Sequence, residues 1–215
     1  MARKKKNPNS NISTREYIIE AATNIFHKNG LHGARMHQIA KAANVNPALL
    51  HYYFVSKEQL YEEVLSGVFK KFIILFQMNF SKDASPAKAI EGFINNYIDL
   101  FFKQPEIPVL IVSDAISGGS HLINAADNTF KDASSHPKEV IAPFLNQAIK
   151  NGFIKNVSPM QTMISIISMC AFYFVGKPLI YHIWGKPENE TNFINERKKA
   201  ITELVLHGIL KNEKK

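Results

Sequence analysis

QIAKAANVNPALLHYYFVSK, residues 38–57, reads as two short helices meeting at a tight corner. Ile39, Ala40 and Ala43 share one helical face, and the small Ala40 and Ala43 let a second helix approach closely. Asn44 interrupts the pattern, because its short polar side chain tolerates the left-handed backbone that closes a helix. Val45 plugs the corner. Asn46 is a strong N-cap, and Pro47 suits a first turn whose N–H groups have no helical partner. The second helix, residues 47–53, turns Leu50 inward together with Phe54, four residues on. Its other face carries Pro47, Ala48, Leu49, His51, Tyr52 and Tyr53, too apolar and aromatic for idle solvent surface yet too short for a core helix. The pattern is a helix-turn-helix whose second helix enters the DNA major groove. Tyr52 is expected to pack against the first helix of the chain, residues 14–29, or the body of the protein.

Upstream, residues 14–29 form a first helix, capped by Ser13 or Thr14, with Glu16 at the positive end of its dipole. Ile18, Ala22, Ile25 and Phe26 make its apolar stripe, and Gly30 ends it. Residues 31–34 are expected as a loop, with the next helix starting near Arg35. Residues 1–13, with Arg3, Lys4, Lys5 and Lys6 ahead of Asn, Pro and Ser, cannot bury apolar surface. They read either as an arm that adds phosphate or minor-groove contacts or as a solvated tail.

The charge follows the motif. Residues 1–57 hold nine Lys/Arg against two Asp/Glu, a net +7, whereas residues 58–215 hold seventeen against sixteen, a net +1. Positive charge concentrated on a helix-turn-helix is what phosphate contact demands. The lone cysteine, Cys170, cannot form an internal disulfide, which fits a reducing cytoplasm, and it reads as a small buried hydrophobe. The N-terminal basic run has no apolar segment behind it, so no secretory signal is expected. Residues 160–183 are interrupted by Gln161, Lys177, Pro178 and His182, so no membrane span is expected.

The run of residues 14–60 resembles the DNA-binding domain of the tetracycline-repressor (TetR) family of transcriptional regulators. Thr14-Arg15, Ile18-Ile19, Ala21-Ala22, Phe26, Gly30, Ile39-Ala40, Ala43, Val45, Leu50, Tyr53-Phe54, Ser56-Lys57-Glu58 and Leu60 carry the resemblance. It implies that Pro47, Ala48 and Leu49 approach base edges, while His51, Tyr53 and Lys57 contact phosphates. Pro47, Ala48 and Leu49 offer no side-chain hydrogen bonds and read by apolar contact only, for example with thymine methyls. Family members commonly place Thr or Ser where Ala34 and Arg35 stand, and Arg35 then supplies a phosphate contact by charge instead of a cap. His37 points out of the same helix as a further groove or phosphate contact. His27, His32, His37 and His51 put no two rings on one helical face, so no metal site is expected.

The remainder is helical, giving an all-α chain: a basic arm (1–13), a helix-turn-helix domain (14–60) and a helical effector-binding and dimerisation domain (61–215). A long helix, residues 57–80, shows Leu60, Val64, Leu65, Val68, Phe72, Phe76 and Phe80 on one face and links the two domains. Further helices are expected at 86–103, 105–117, 122–135, 137–151, 160–184 and 191–211. The last two are apolar enough to pair across a two-fold axis as a four-helix homodimer interface, which the resemblance implies. That pairing sets two recognition helices about 34–36 Å apart on a palindromic DNA operator.

The resemblance also implies a small-molecule effector site inside the second domain. Candidate liners are Phe72, Phe76, Phe93, Tyr97, Phe101, Phe130, Met169 and Tyr173, with Asp114, His121 and His182 as polar fixers. Their aromatic character points to an apolar effector. No nucleophile–base spacing, metal motif or phosphate loop is present, and no cofactor is expected, which argues against an enzyme. The function expected is a ligand-released repressor. An effectorless architectural DNA-binding protein of the same fold is the alternative.

Overall fold

The computed structural model describes residues 13–81, 84–131 and 136–211. The arm at residues 1–12 lies outside the described residues. Those described form ten helices: α1 (Thr14–Gly33), α2 (Met36–Ala42), α3 (Pro47–Tyr53), α4 (Lys57–Asn79), α5 (Pro86–Lys103), α6 (Glu106–Ile116), α7 (Ser120–Thr129), α8 (Pro137–Lys150), α9 (Pro159–Trp184) and α10 (Glu190–Ile209). The chain divides into two compact units between Val64 and Leu65, inside α4.

The first unit is built from caps and a small core. Ser13 Oγ accepts from the Glu16 N–H at 3.3 Å, and Glu16 Oε2 accepts from the Ser13 N–H at 2.6 Å, a reciprocal capping box. The bond from the Ser13 backbone holds the Glu16 carboxyl below its ordinary range. Gly30, at φ 65°, breaks α1 as expected, but residues 31–33 coil into a further helical turn rather than a loop. Ile18, Ala22 and Phe26 of α1 are buried with Ile39 and Ala40 of α2, Leu50 of α3, Phe54, and Leu60, Tyr61 and Val64 of α4. The Phe26 and Tyr61 rings meet edge to face at 4.9 Å. Arg15 lies 5.2 Å from the centre of the Phe54 ring and pairs with Glu63 at 2.9 Å.

In the second unit α5 is the central element. It buries Ala89, Ile90, Phe93, Ile94, Tyr97, Ile98 and Phe101 and packs against α6, α9 and α10. Val68, Phe72, Phe76 and Phe80 of α4 join this core, along with Ile141 and Leu145 of α8, Met163, Ile166, Cys170 and Tyr173 of α9, and Ile201 and Val205 of α10. Two polar pins fix α4 to α5: Lys71 to the Gln104 side chain, and Asn96 Nδ2 to Asn79 Oδ1 at 3.2 Å. The last carbonyls of α10 have no helical donors of their own. Lys155 supplies them, donating to His207 O at 3.3 Å and Gly208 O at 2.9 Å.

Apart from α1, most expected boundaries hold to within a residue, and α7 and α10 differ by more. The helix expected at 122–135 runs Ser120–Thr129, because Gly119 (φ 73°) and the buried Asp114 carboxylate, which accepts from the Leu122 N–H at 2.9 Å, start it earlier. Residues 132–135 lie outside the described residues. The final helix is Glu190–Ile209, begun by Asn189, whose side chain accepts from the Asn192 N–H at 3.0 Å.

Candidate DNA-reading surface and aromatic core

The corner between α2 and α3 is made by three consecutive residues. Asn44 takes φ 55°, the Val45 N–H turns back to Ala40 O at 2.9 Å, and Asn46 Oδ1 accepts from the Leu49 N–H at 2.6 Å. Pro47 opens α3 at no hydrogen-bonding cost. With Leu50 and Phe54 both within 1% of full burial, the opposite face of α3 is fixed outward. Pro47, Ala48 and His51 are exposed, and Leu49 and Tyr53 are half-buried at its margins. A residue in contact with the core at one edge and open at the other has a restricted set of rotamers, which suits a base- or phosphate-contacting group.

Tyr52 corrects the expectation. It is 81% exposed, meets Tyr53 edge to face at 5.4 Å, and is buried against neither α1 nor the body of its unit. Two residues from Leu50 is about 200° around a helix, so the buried position of Leu50 itself sends Tyr52 outward. Arg35 and His37 are exposed at the start of α2. Arg35 gives no side-chain cap. Instead its N–H donates to Gln38 Oε1 at 3.1 Å, so the guanidinium keeps all its donors.

Lys57 is tied more closely than its sequence suggests. Its ammonium donates to Ala34 O at 3.2 Å and His32 O at 3.5 Å, satisfying carbonyls at the end of α1. An ammonium has three donors, so one remains for a phosphate oxygen held at a fixed place. Beside it, Ser56 Oγ accepts from the Gln59 N–H at 3.0 Å and Gln59 Oε1 from the Val55 N–H at 2.8 Å, which anchors the start of α4.

The candidate effector residues of the second unit form a continuous aromatic column. Phe72 stacks on Tyr97 at 5.5 Å and Phe76 on Phe93 at 5.4 Å, while Tyr97 meets Phe101 at 4.7 Å. Phe101 in turn meets Phe174 edge-on at 5.6 Å. Burial pushes the Tyr97 phenol well above its ordinary range and the Cys170 thiol up to about 12, so both stay neutral. Tyr173 is buried, its hydroxyl 3.1 Å from that of Tyr181, which donates to Glu190 at 3.3 Å; Lys177 completes the cluster on Glu190. Met169 is half-buried and lends its carbonyl to Arg197 at 2.7 Å. Phe130 meets Phe69 at 5.3 Å, and His121 is half-buried in the first turn of α7. Two of the expected polar fixers are otherwise engaged: the Asp114 carboxylate accepts from the start of α7, and His182 is exposed on the last turn of α9.

A helix-turn-helix with an outward aromatic face, joined through α4 to an all-helical second unit, defines a DNA-binding transcription regulator. Relatives bear this out. Over 192 residues the chain is 25% identical to the HTH-type transcriptional regulator RutR of Escherichia coli strain K12, spanning 89% of this chain and 88% of that one. It is 26% identical over 161 residues to the HTH-type transcriptional repressor NicS of Pseudomonas putida, spanning 74% and 75%. The fold is shared with the ketosteroid transcriptional regulator KstR2 of Mycobacterium tuberculosis, at TM-score 0.69 and 18% identity over 96% of this chain and 100% of that one. It is shared also with the fatty acid degradation regulator FadR of Bacillus halodurans, at TM-score 0.65 and 15% identity over 94% and 97%. Residues 18–64 match the bacterial regulatory proteins of the tetR family, and residues 71–212 match the C-terminal region of YcdC-like proteins. The chain belongs to the tetR family of bacterial transcription regulators.

Proposed function

We propose that this protein is a cytoplasmic transcriptional repressor that binds a palindromic operator as a homodimer and is released by a small apolar effector. The observation that carries the reading is α3: a capped, seven-residue helix anchored by Leu50, with Pro47, Ala48, His51 and Tyr52 turned to solvent. Leu49 and Ala48 read base edges, Tyr52 joins them in the groove, and Arg35, His37, His51, Tyr53 and Lys57 hold phosphates.

Exposed side chains on the last two helices support the homodimer. Met160, Ile164, Phe172, Leu179 and Ile183 follow one side of α9, each more than half exposed. Ala200, Leu204 and Gly208 follow one side of α10. By length and composition α9 is also apolar enough to cross a membrane. Its opposite face, however, carries the buried Met163, Ile166, Cys170 and Tyr173 of the core, and Lys177 is paired with Glu190. A second copy is the occupant that suits such a helix.

For the effector, the aromatic column of Phe72, Phe76, Phe93, Tyr97 and Phe101 supplies an apolar environment, and α4 carries any displacement toward the DNA-reading unit by chain continuity. A tenfold loss of operator affinity needs only about 1.4 kcal/mol of differential binding. One observation favours the effectorless alternative: the rings of that column already touch one another. Selection of bound fragments from random duplex DNA, followed by titration with apolar compounds, separates the readings. Enrichment of an inverted repeat and release by such a compound support the repressor. An asymmetric motif would refute the palindromic dimer, and binding that no apolar compound weakens would favour the architectural protein.

A further inference from the structure

The first turn of α3 has few hydrogen-bonding groups left to offer. Pro47 and Ala48 are exposed and Leu49 half-buried, and none of the three has a polar side-chain atom. Pro47 has no N–H. The Leu49 N–H is taken by Asn46 Oδ1 at 2.6 Å and the Leu50 N–H by Asn46 O at 3.2 Å. The same cap spends the Asn46 side-chain oxygen. Two donors remain, the Ala48 N–H and the Asn46 amide nitrogen. Every base pair offers a purine N7 acceptor in the major groove, so a lone donor discriminates little. One turn on, Tyr52 is 81% exposed and shares a helix side with Ala48, four residues earlier. The half-buried Tyr53 ring meets it edge to face at 5.4 Å and supports one side of it. Only the Tyr52 hydroxyl is polar.

Such a surface tells base pairs apart by apolar contact. The apolar group on the major-groove edge is the thymine C5 methyl, which adenine, guanine and cytosine lack. Cytosine gains the same methyl at the same ring position when it is methylated at C5. Its amino group still differs from the thymine oxygen, but that difference is written in hydrogen bonds. A glutamine or arginine in these places would read it; proline, alanine and leucine do not.

We propose that α3 reads methyl groups and is blind to the hydrogen-bonding edge that carries them. Each half-site sets thymine methyls against Ala48, Leu49 and Tyr52, and 5-methylcytosine stands in for thymine there. The inference rests on the assignment of α3 as the DNA-reading helix. The test takes the full chain and an operator selected from random duplex DNA, titrated by fluorescence anisotropy at one fixed salt concentration. Deoxyuridine replaces each thymine in turn, which removes the methyl and keeps the pairing. At positions facing α3 each replacement should cost about fourfold in affinity, the worth of one buried methyl. A C·G pair at the same place should cost about tenfold. Methylating that cytosine at C5 should recover about fourfold of the loss. Tyr52→Ala and Leu49→Ala should each erase the uracil penalty at one position and keep it at the others, with circular dichroism checking that both variants keep their helices. Indifference to uracil at every position would overturn the proposal, as would a methylated cytosine no better than cytosine. A uracil penalty unchanged in both variants would assign it to duplex deformability and overturn it too. A selection that enriches no sequence would remove α3 as a reader altogether, and this proposal with it.

Discussion

Replacing Gly92 with alanine puts a methyl carbon 2.5 Å from Asn79 Oδ1, well inside ordinary van der Waals contact. Asn79 cannot simply swing away. It is 9% exposed, its Nδ2 donates to Leu75 O at 2.7 Å, and its Oδ1 accepts from Asn96 at 3.2 Å. Moving the amide breaks the bond between α4 and α5 and leaves a largely buried carbonyl oxygen unpaired, at about 1–3 kcal/mol. Against that, alanine in a helix interior gains about 1 kcal/mol over glycine. The net expectation is a loss of about 0–2 kcal/mol, opposite in sign to the usual Gly→Ala effect. Gly67 in α4 is the control, because nothing lies within 4 Å of its added carbon, so Gly67→Ala should gain stability. Urea unfolding should be followed by far-ultraviolet circular dichroism, since Trp184 is 83% exposed and reports poorly on the core. Adding Asn79→Ala removes the obstacle, and the double-mutant cycle should show coupling of about 1 kcal/mol. Stabilisation of Gly92→Ala by as much as Gly67→Ala would refute the reasoning.

Lys57→Ala should weaken binding to all operators alike and flatten the salt dependence by about one unit of slope. Because the ammonium also holds the Ala34 and His32 carbonyls, the variant should melt earlier as well; an unchanged salt slope would remove Lys57 from the phosphate contacts. Phe172→Glu, at a side chain 64% exposed in the single chain, should leave a monomer in sedimentation velocity where the wild type sediments as the proposed dimer, with the helical spectrum intact. Glu190 is held below its ordinary carboxyl range chiefly by its hydrogen bond to Lys177. Its contribution is therefore complete above about pH 4.5 and disappears as pH falls through the lowered folded value. Melting curves of wild type and Glu190→Gln should differ at pH 6 and converge toward pH 3; a constant gap would assign the difference to packing.

The corner of α2 and α3 was legible because each of its determinants is local. Asn44 supplies the positive φ, Asn46 the cap and Pro47 the first turn, and no distant residue decides among them. Tyr52 was legible too, from its angle to Leu50, but its aromatic bulk argued for burial and outweighed the geometry. The carbonyls bonded by Lys57 lie 23 and 25 residues away and leave no trace in its neighbourhood. The phenylalanines of α4 and α5 announced an apolar interior. Whether rings surround a space or stack on one another depends on the register between two helices, which periodicity within each helix does not contain.

Cys170 is the only cysteine, wholly buried, and its thiol is pushed up to about 12. A thiol that is neither ionised nor reachable does not react with alkylating reagents while the helices around it stay closed. The chain is thus cysteine-free to a chemist until the second unit opens. The rate of modification then follows the population of the open form where reclosing outpaces the reagent, and the opening rate where it does not, without any engineered probe. A compound that binds among the same helices should slow this clock in proportion to its occupancy, whether or not operator DNA is present.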